Sequence, residues 1–181
     1  MPVIPYVDQT WVDGSGGGTP VSAARLNQME AGIKTAHYQP AVRVFHNVAQ
    51  SIITATDTAL AFNSEHFDQA SNVADTQHDT VTNNSRLTCR YAGVYQISGH
   101  VTFAGNATGL RYLWIRHQGA TTIDRDSALA SATENSMNVS TLYPMAVNEY
   151  VELMVHQSSG GNLNVNFVGN HTPYFMMVRV A

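Results

Sequence analysis

"AGVYQISGHVTFAG", residues 92–105, decides the fold class. Tyr95, Ile97, Val101 and Phe103 occupy alternate positions, with Gln96, Ser98, His100 and Thr102 between them. Successive side chains of an extended chain point to opposite faces, so this spacing describes a strand with one apolar and one polar side. The same period continues downstream. "GLRYLWIRHQG" (109–119) sets Leu113 and Ile115 against Tyr112 and Trp114, and "EYVELMVHQ" (149–157) aligns Val151, Leu153 and Val155. "NLNVNFVG" (162–169) does the same with Leu163, Val165 and Phe167. The close, "PYFMMVRVA" (173–181), is apolar on both faces except at Arg179, as expected of a strand covered on both sides. Adding "AVRVFHNV" (41–48), "TALAFN" (58–63), "SRLTC" (85–89), "TTIDRD" (121–126) and "SMNVSTLY" (136–143) gives about ten short strands. Turn clusters such as "HQGA", "SSGG" and "VGNHTP" separate several of them. Many short strands with no second helix predict an all-β sandwich or jelly roll.

The front of the chain breaks this pattern. "TPVSAARLNQMEAGI" (19–33) reads as a helix, with Thr19 as N-cap and Pro20 at the first helical position, where a missing N–H costs nothing. Ser22, Leu26, Met29, Ile33 and Ala36 then recur at alternating spacings of four and three, a coiled-coil seam about two heptads long. So short a helix is marginal alone and requires a partner, either other copies of itself or its own head domain. Ahead of it, "WVDGSGGG" (11–18) reads as a hinge, because a glycine run cannot hold one backbone conformation cheaply. It lacks the Lys-Ser/Thr of a phosphate loop. The expected organisation is an extended arm and hinge over 1–18, a trimerising helix over 19–38 and a β-head over 41–181.

Composition removes several function classes. Charged residues make up 12% of the 181 residues and the net charge is −4, which argues against binding a phosphate backbone. No apolar run is long enough to cross a bilayer as a helix, so no membrane insertion is expected, and the N-terminus lacks a secretion-signal pattern. Cys89 is the sole cysteine and reads as a small core thiol. Sequons at Asn83, Asn106, Asn138 and Asn170 are expected of an Asn- and Thr-rich β surface made without secretion.

Chemistry-bearing residues are sparse. Between Arg43 and Arg86 there is no Lys or Arg, yet Asp57, Glu65, Asp68, Asp75 and Asp79 lie there. "SEHFDQASNVADTQHDTVTNNS" (64–85) therefore reads as a solvated acidic surface loop with local Asx turns. Calcium, or a transition metal on His66 and His78 with Asp68 and Asp79, is the alternative, although no ligand spacing matches a known motif. Asp124 and Asp126 could in principle serve as the two carboxylates of a polysaccharide depolymerase; a salt-linked surface pair around Arg125 is the plainer expectation. No Ser-His-Asp or metal-hydrolase motif occurs, so neither catalytic residues nor a bound cofactor is expected.

Two resemblances sharpen this reading. "CRYAGVYQISGHVTF" (89–103), with Gly93 and Tyr95 at its signature positions, resembles a strand of the complement-q and tumour-necrosis-factor-like jelly rolls. "LAFNSEHFD", "DTVTNNSRLT", "NEYVELMVHQSSGG" and "YFMMVRV" resemble other segments of that family, across about residues 41–181. The likeness implies a ten-stranded jelly roll assembling as a homotrimer, with Tyr174, Met176 and Val178 of the closing strand lining the threefold axis beside the helical seam of Leu26, Met29 and Ile33. "TWVDGSGGGTPVSAARLNQMEAGI" (10–33) resembles the leading segment of bacteriophage structural proteins, through Trp11, Asp13, Gly14, Thr19, Pro20, Ala23, Leu26, Asn27, Glu30 and Ile33. No collagen-like Gly-x-y stalk precedes the head, which favours the viral resemblance over an immune one. That resemblance implies a virion protein made in the cytoplasm of a bacterial host and tied to other virion proteins through residues 1–36. Its head would bind a host-surface glycan or protein, with Tyr112 and Trp114, or Asp68, Asp75 and Asp79, as candidate contacts. The alternative role is a capsid decoration or head-fibre protein with no host ligand.

Overall fold

A computed structural model describes residues 22–37, 39–69 and 75–181. The arm, the glycine hinge and the positions of Thr19 and Pro20 lie outside the described residues. In chain order the elements are α1 (Ala23–His37), β1 (Ala41–Phe45), β2 (Gln50–Ile52), β3 (Thr58–Ala59), β4 (Ser64–Gln69), β5 (Arg86–Thr88) and β6 (Gly93–Phe103). They continue with β7 (Asn106–His117), β8 (Thr121–Ser131), β9 (Asn135–Met145), β10 (Tyr150–Gln157), β11 (Leu163–Val165) and β12 (Tyr174–Arg179). Contacts divide the chain into two units, Met1–Gln39 and Pro40–Ala181.

The second unit is a sandwich of two antiparallel sheets. In the seven-stranded sheet β4, β1, β12, β6 and β9 lie side by side, with β11 and then β2 extending from the far end of β6. In the five-stranded sheet β3 and β5 share one edge of β10, whose other edge carries β7 and then β8. The core lies between the sheets. Val42, Val44, Tyr95, Ile97, Val101, Phe103, Phe175 and Met177 meet Leu113, Ile115, Val151, Leu153 and Val155, all of them buried.

The strand that decided the fold class shows why its residues are where they are. Gly99 faces the second sheet, where a Cβ would come within 2.5 Å of Leu153 Cδ1. Gly93 lies under the carbonyl oxygen of Ala181, which accepts the N–H of Val94 at 2.8 Å, so a side chain there would meet backbone. Tyr95 is fully buried, and its hydroxyl donates to the Tyr91 carbonyl at 2.7 Å. The jelly-roll signature pair is thus a close chain crossing beside a buried ring with a satisfied hydroxyl. Strand β12 is central, paired on both edges; Phe175 and Met177 enter the core. Tyr174, Met176 and Val178 share the outward face, flanked by Phe45, Arg43 and Ala41 of β1 and by His100, Ser98 and Gln96 of β6.

Three expectations need correction. The segment Ser64–Gln69, expected in a loop, is strand β4, paired with β1 through a register shift between Arg43 and Val44. As an edge strand it sets Asp68 and Glu65 opposite Val42 and Val44, so it shows no apolar period. With β2 it brings the strands among the described residues to twelve, two more than the pattern of alternation picks out. Conversely, "TALAFN" is a strand only at Thr58–Ala59; Leu60 and Phe62 are buried beyond it, their N–H groups donating to Leu153 and Asn84 carbonyls. In α1, Ser22 caps rather than joins the seam: its Oγ accepts the Arg25 N–H at 3.4 Å. Leu26, Met29 and Ile33 remain 50%, 52% and 65% exposed, an uncovered apolar stripe.

Candidate ligand-binding site

The outward face of the five-stranded sheet carries the candidate site. Along β7, Leu113 and Ile115 enter the core, so strand alternation turns Tyr112, Trp114 and Arg116 to the outside. Neighbouring strands complete three rows. His156 of β10 and Ser127 of β8 lie opposite Tyr112, Met154 and Arg125 lie opposite Trp114, and Glu152 and Thr122 lie opposite Arg116. A register shift between Ile115 and Arg116 brings Thr122 into the last row. The turn from β7 to β8 places both Gln118 (φ 50°) and Gly119 (φ 70°) in the left-handed region, as a tight hairpin requires. An open cavity of about 390 Å³ results, lined by Tyr112, Trp114, Arg116, Thr122, Arg125, His156, Asp57 and the Gly119 turn.

Its polar groups are held from behind. Glu152 is 4% exposed; its Oε2 accepts Arg116 Nη2 at 2.8 Å and Nε at 3.2 Å. Its Oε1 accepts Ser85 Oγ at 3.0 Å and Arg86 Nε at 3.5 Å, while the Arg86 guanidinium lies 4.0 Å over the Tyr150 ring. His156 Nδ1 and Asp57 Oδ1 are 2.8 Å apart, which fixes the imidazole beside the Tyr112 ring. The Arg125 guanidinium sits 4.2 Å over Tyr112. Two aromatic rings, cationic planes and hydroxyl-bonding groups around an open bowl suit an oxygen-rich ring compound with an apolar face.

The structure brings Tyr112 and Trp114 together here and places the three candidate aspartates elsewhere. Asp68 Oδ2 accepts the N–H groups of Gln77 at 2.7 Å and His78 at 3.0 Å; burial pushes its carboxyl up despite those bonds. Asp75 accepts the Tyr91 hydroxyl at 2.6 Å. Asp79 Oδ1 accepts from Thr82 and Val81 in a local Asx turn, and those N–H bonds hold its carboxyl below the usual range. Among the described residues no group of three or more His, Cys, Asp or Glu is arranged to hold a metal ion. His78 Nδ1 instead contacts Glu65 at 2.8 Å.

Asp124 and Asp126 also have structural work. Asp124 accepts the N–H groups of Arg125 at 2.9 Å and Ser140 at 2.7 Å, tying β8 to β9, and Asp126 accepts the Ser127 N–H at 2.7 Å. The expected salt link around Arg125 is replaced by its position on the opposite strand face, over Tyr112. Cys89 is buried, its thiol donates to the Tyr91 carbonyl at 3.1 Å, and burial pushes its pKa up. No described helix is long and apolar enough to cross a membrane.

Sequence reasoning missed Asp57, Arg116, Arg125 and His156. Arg116 was within reach, since it shares the alternate positions of Tyr112 and Trp114. Asp57 and His156 stand 99 residues apart, and only strand pairing joins them.

Solved structures with this architecture include murine APRIL and the globular domain of zebrafish complement 1qA protein. One murine APRIL structure matches with a TM-score of 0.59 at 11% identity, over 78% of this chain and 99% of that one. The zebrafish domain matches with 0.52 at 13% identity, over 78% of this chain and 96% of its own. The fold is the complement-q/tumour-necrosis-factor-like jelly roll. Its identity to these structures is low enough that the likeness speaks of fold alone. No protein-family model matches the chain, and no curated protein matches it either.

Proposed function

We propose that this chain is a non-enzymatic, homotrimeric bacteriophage fibre or spike protein whose head holds a host-surface glycan against Tyr112 and Trp114. The observation that carries the reading is the open bowl on the outward sheet, where both rings stand among side chains able to bond hydroxyls. Sugar rings present C–H faces that stack on aromatic planes, while their hydroxyls need directional partners. The two carboxylates that could have suggested hydrolysis are committed to backbone N–H groups.

Trimer formation is supported by the exposed apolar stripe of α1 and by the outward row of β12, where Tyr174, Met176 and Val178 are only half-buried. The virion setting rests on the leading segment, whose resemblance to phage structural proteins makes residues 1–36 the attachment to other virion proteins. Three shallow sites per trimer, and many trimers per particle, would give avidity without a tight single site. The scheme needs no metal or other cofactor.

Purified full-length protein should bind host cells saturably and lose at least about tenfold in affinity on Trp114→Ala. Free protein should compete with the particle for adsorption. Absence of binding at micromolar protein, with normal incorporation into particles, would leave a capsid-decoration role instead. Release of reducing sugar from host wall material would overturn the non-enzymatic reading.

A further inference from the structure

We infer that the ligand of the outward bowl is an acidic saccharide, its ring stacked on Trp114 and its carboxylate or phosphate met by Arg125. This deepens the proposed glycan-binding reading and rests on it. The chain as a whole carries −4, yet this face sets three guanidiniums, Arg86, Arg116 and Arg125, against two carboxylates, Glu152 and Asp57. Glu152 is shared between Arg86 and Arg116, and Asp57 is taken by His156.

Arg125 is different. Among the described residues no carboxylate lies within ion-pair distance of it. Its strand neighbours Asp124 and Asp126 point to the other face and are bonded to backbone N–H groups. Instead its guanidinium carbon lies 4.2 Å from the centre of the Tyr112 ring, on the strand position directly opposite Trp114. A planar cation held by an aromatic ring keeps its edge N–H groups available for a two-pronged contact with an anion. The stacking surface and the unmatched charge therefore stand side by side, an arrangement that a neutral sugar would leave half used. A cationic surplus on an acidic protein also steers anions to this face over the rest of the surface.

The test uses the full chain with Trp11→Phe, which leaves Trp114 as the one tryptophan and its fluorescence as the reporter. The probes are matched pairs: a galacturonic acid trisaccharide and its methyl ester, sialyllactose and lactose, glucose 6-phosphate and glucose. At low salt at least one acidic member should bind about fivefold tighter than its uncharged partner, the size of an exposed ion-pair contact. The gap should close in Arg125→Gln, persist in Arg125→Lys and shrink with added salt. Arg125 is exposed on an edge strand, so unchanged thermal unfolding of both variants is expected to accompany this.

Equal binding of both members of every pair, lost on Trp114→Ala by calorimetry, would keep the glycan site and sink the acidic inference. A preference that survives Arg125→Gln would also sink it. Absence of binding by every probe, or binding indifferent to Trp114→Ala, would overturn both readings together.

Discussion

Glu152 occupies an outward strand position, yet it is 4% exposed because Ser85, Arg86 and Arg116 surround its carboxylate. Glu152→Gln preserves shape but leaves two guanidiniums without their counter-charge. Its cost should be about 1–3 kcal/mol, below that of a fully buried pair because both arginines keep partial contact with water. Urea unfolding measures it, and weaker ligand binding should accompany it as Arg116 loses its anchor. Glu149 makes a different case. Its carboxyl accepts the Ala146 N–H at 2.8 Å and faces His117 Nε2 at 3.1 Å, and these two contacts hold it below the usual carboxylate range. The folded pKa lies below the unfolded one, so this group's stability is present above the ordinary carboxylate value. It is lost as pH falls through the folded value. The melting-temperature advantage of wild type over Glu149→Gln should therefore be full near neutrality and vanish between about pH 5 and pH 3. An advantage unchanged with pH would remove the charge from this account.

Strand β6 sets the spacing of the sandwich through its glycines. A methyl at position 99 would press on the δ-carbons of buried Leu153 in the facing sheet, so Gly99→Ala should cost about 1–3 kcal/mol by overpacking. Gly93→Ala should cost more, because its obstacle is the Ala181 backbone rather than the end of a side chain. Pairing Gly99→Ala with Leu153→Val should recover part of the first loss, a non-additivity that a double-mutant cycle in urea would read. These elements also show what can be read without a structure. The central strands β6, β7, β10 and β12 declare themselves, because each pairs on both edges and alternates into one core. Edge strand β4 does not, since its inward positions hold Glu65 and Asp68. Leu60 and Phe62 read as strand because they are buried, but their N–H groups bond outside any ladder pair. The bowl was half legible for the same reason. Tyr112 and Trp114 come from one strand and share its period, whereas Arg125, His156 and Asp57 reach them through register, which no local pattern encodes.

The proposed trimer would close over the outward face of the seven-stranded sheet, where the half-buried Tyr174, Met176 and Val178 lie in a row. His100 is on that face, stacked on Tyr174 at 5.7 Å, with Arg43 4.5 Å over the same ring. Burial, with His171 nearby, pulls the His100 pKa below its ordinary value of 6.5. The fold thus prefers neutral His100, and the stability linked to it is whole above that value and declines as pH drops below it. Closing two further copies over this face would deepen the desolvation, so the trimer would be the state most sensitive to the proton. Protonation would also add charge to a face that already holds Arg43, with His171 beside it. Full-length protein should therefore sediment as a trimer at pH 7.5 and dissociate progressively toward pH 5, while His100→Gln stays trimeric across the range. Met176→Asp should give monomers at both pH values with the head still folded, because its side chain points away from the core that β12 shares. Wild-type monomers at pH 7.5 and micromolar concentration would remove the trimer. Acid dissociation unchanged in His100→Gln would keep the trimer and assign its proton sensitivity to another group.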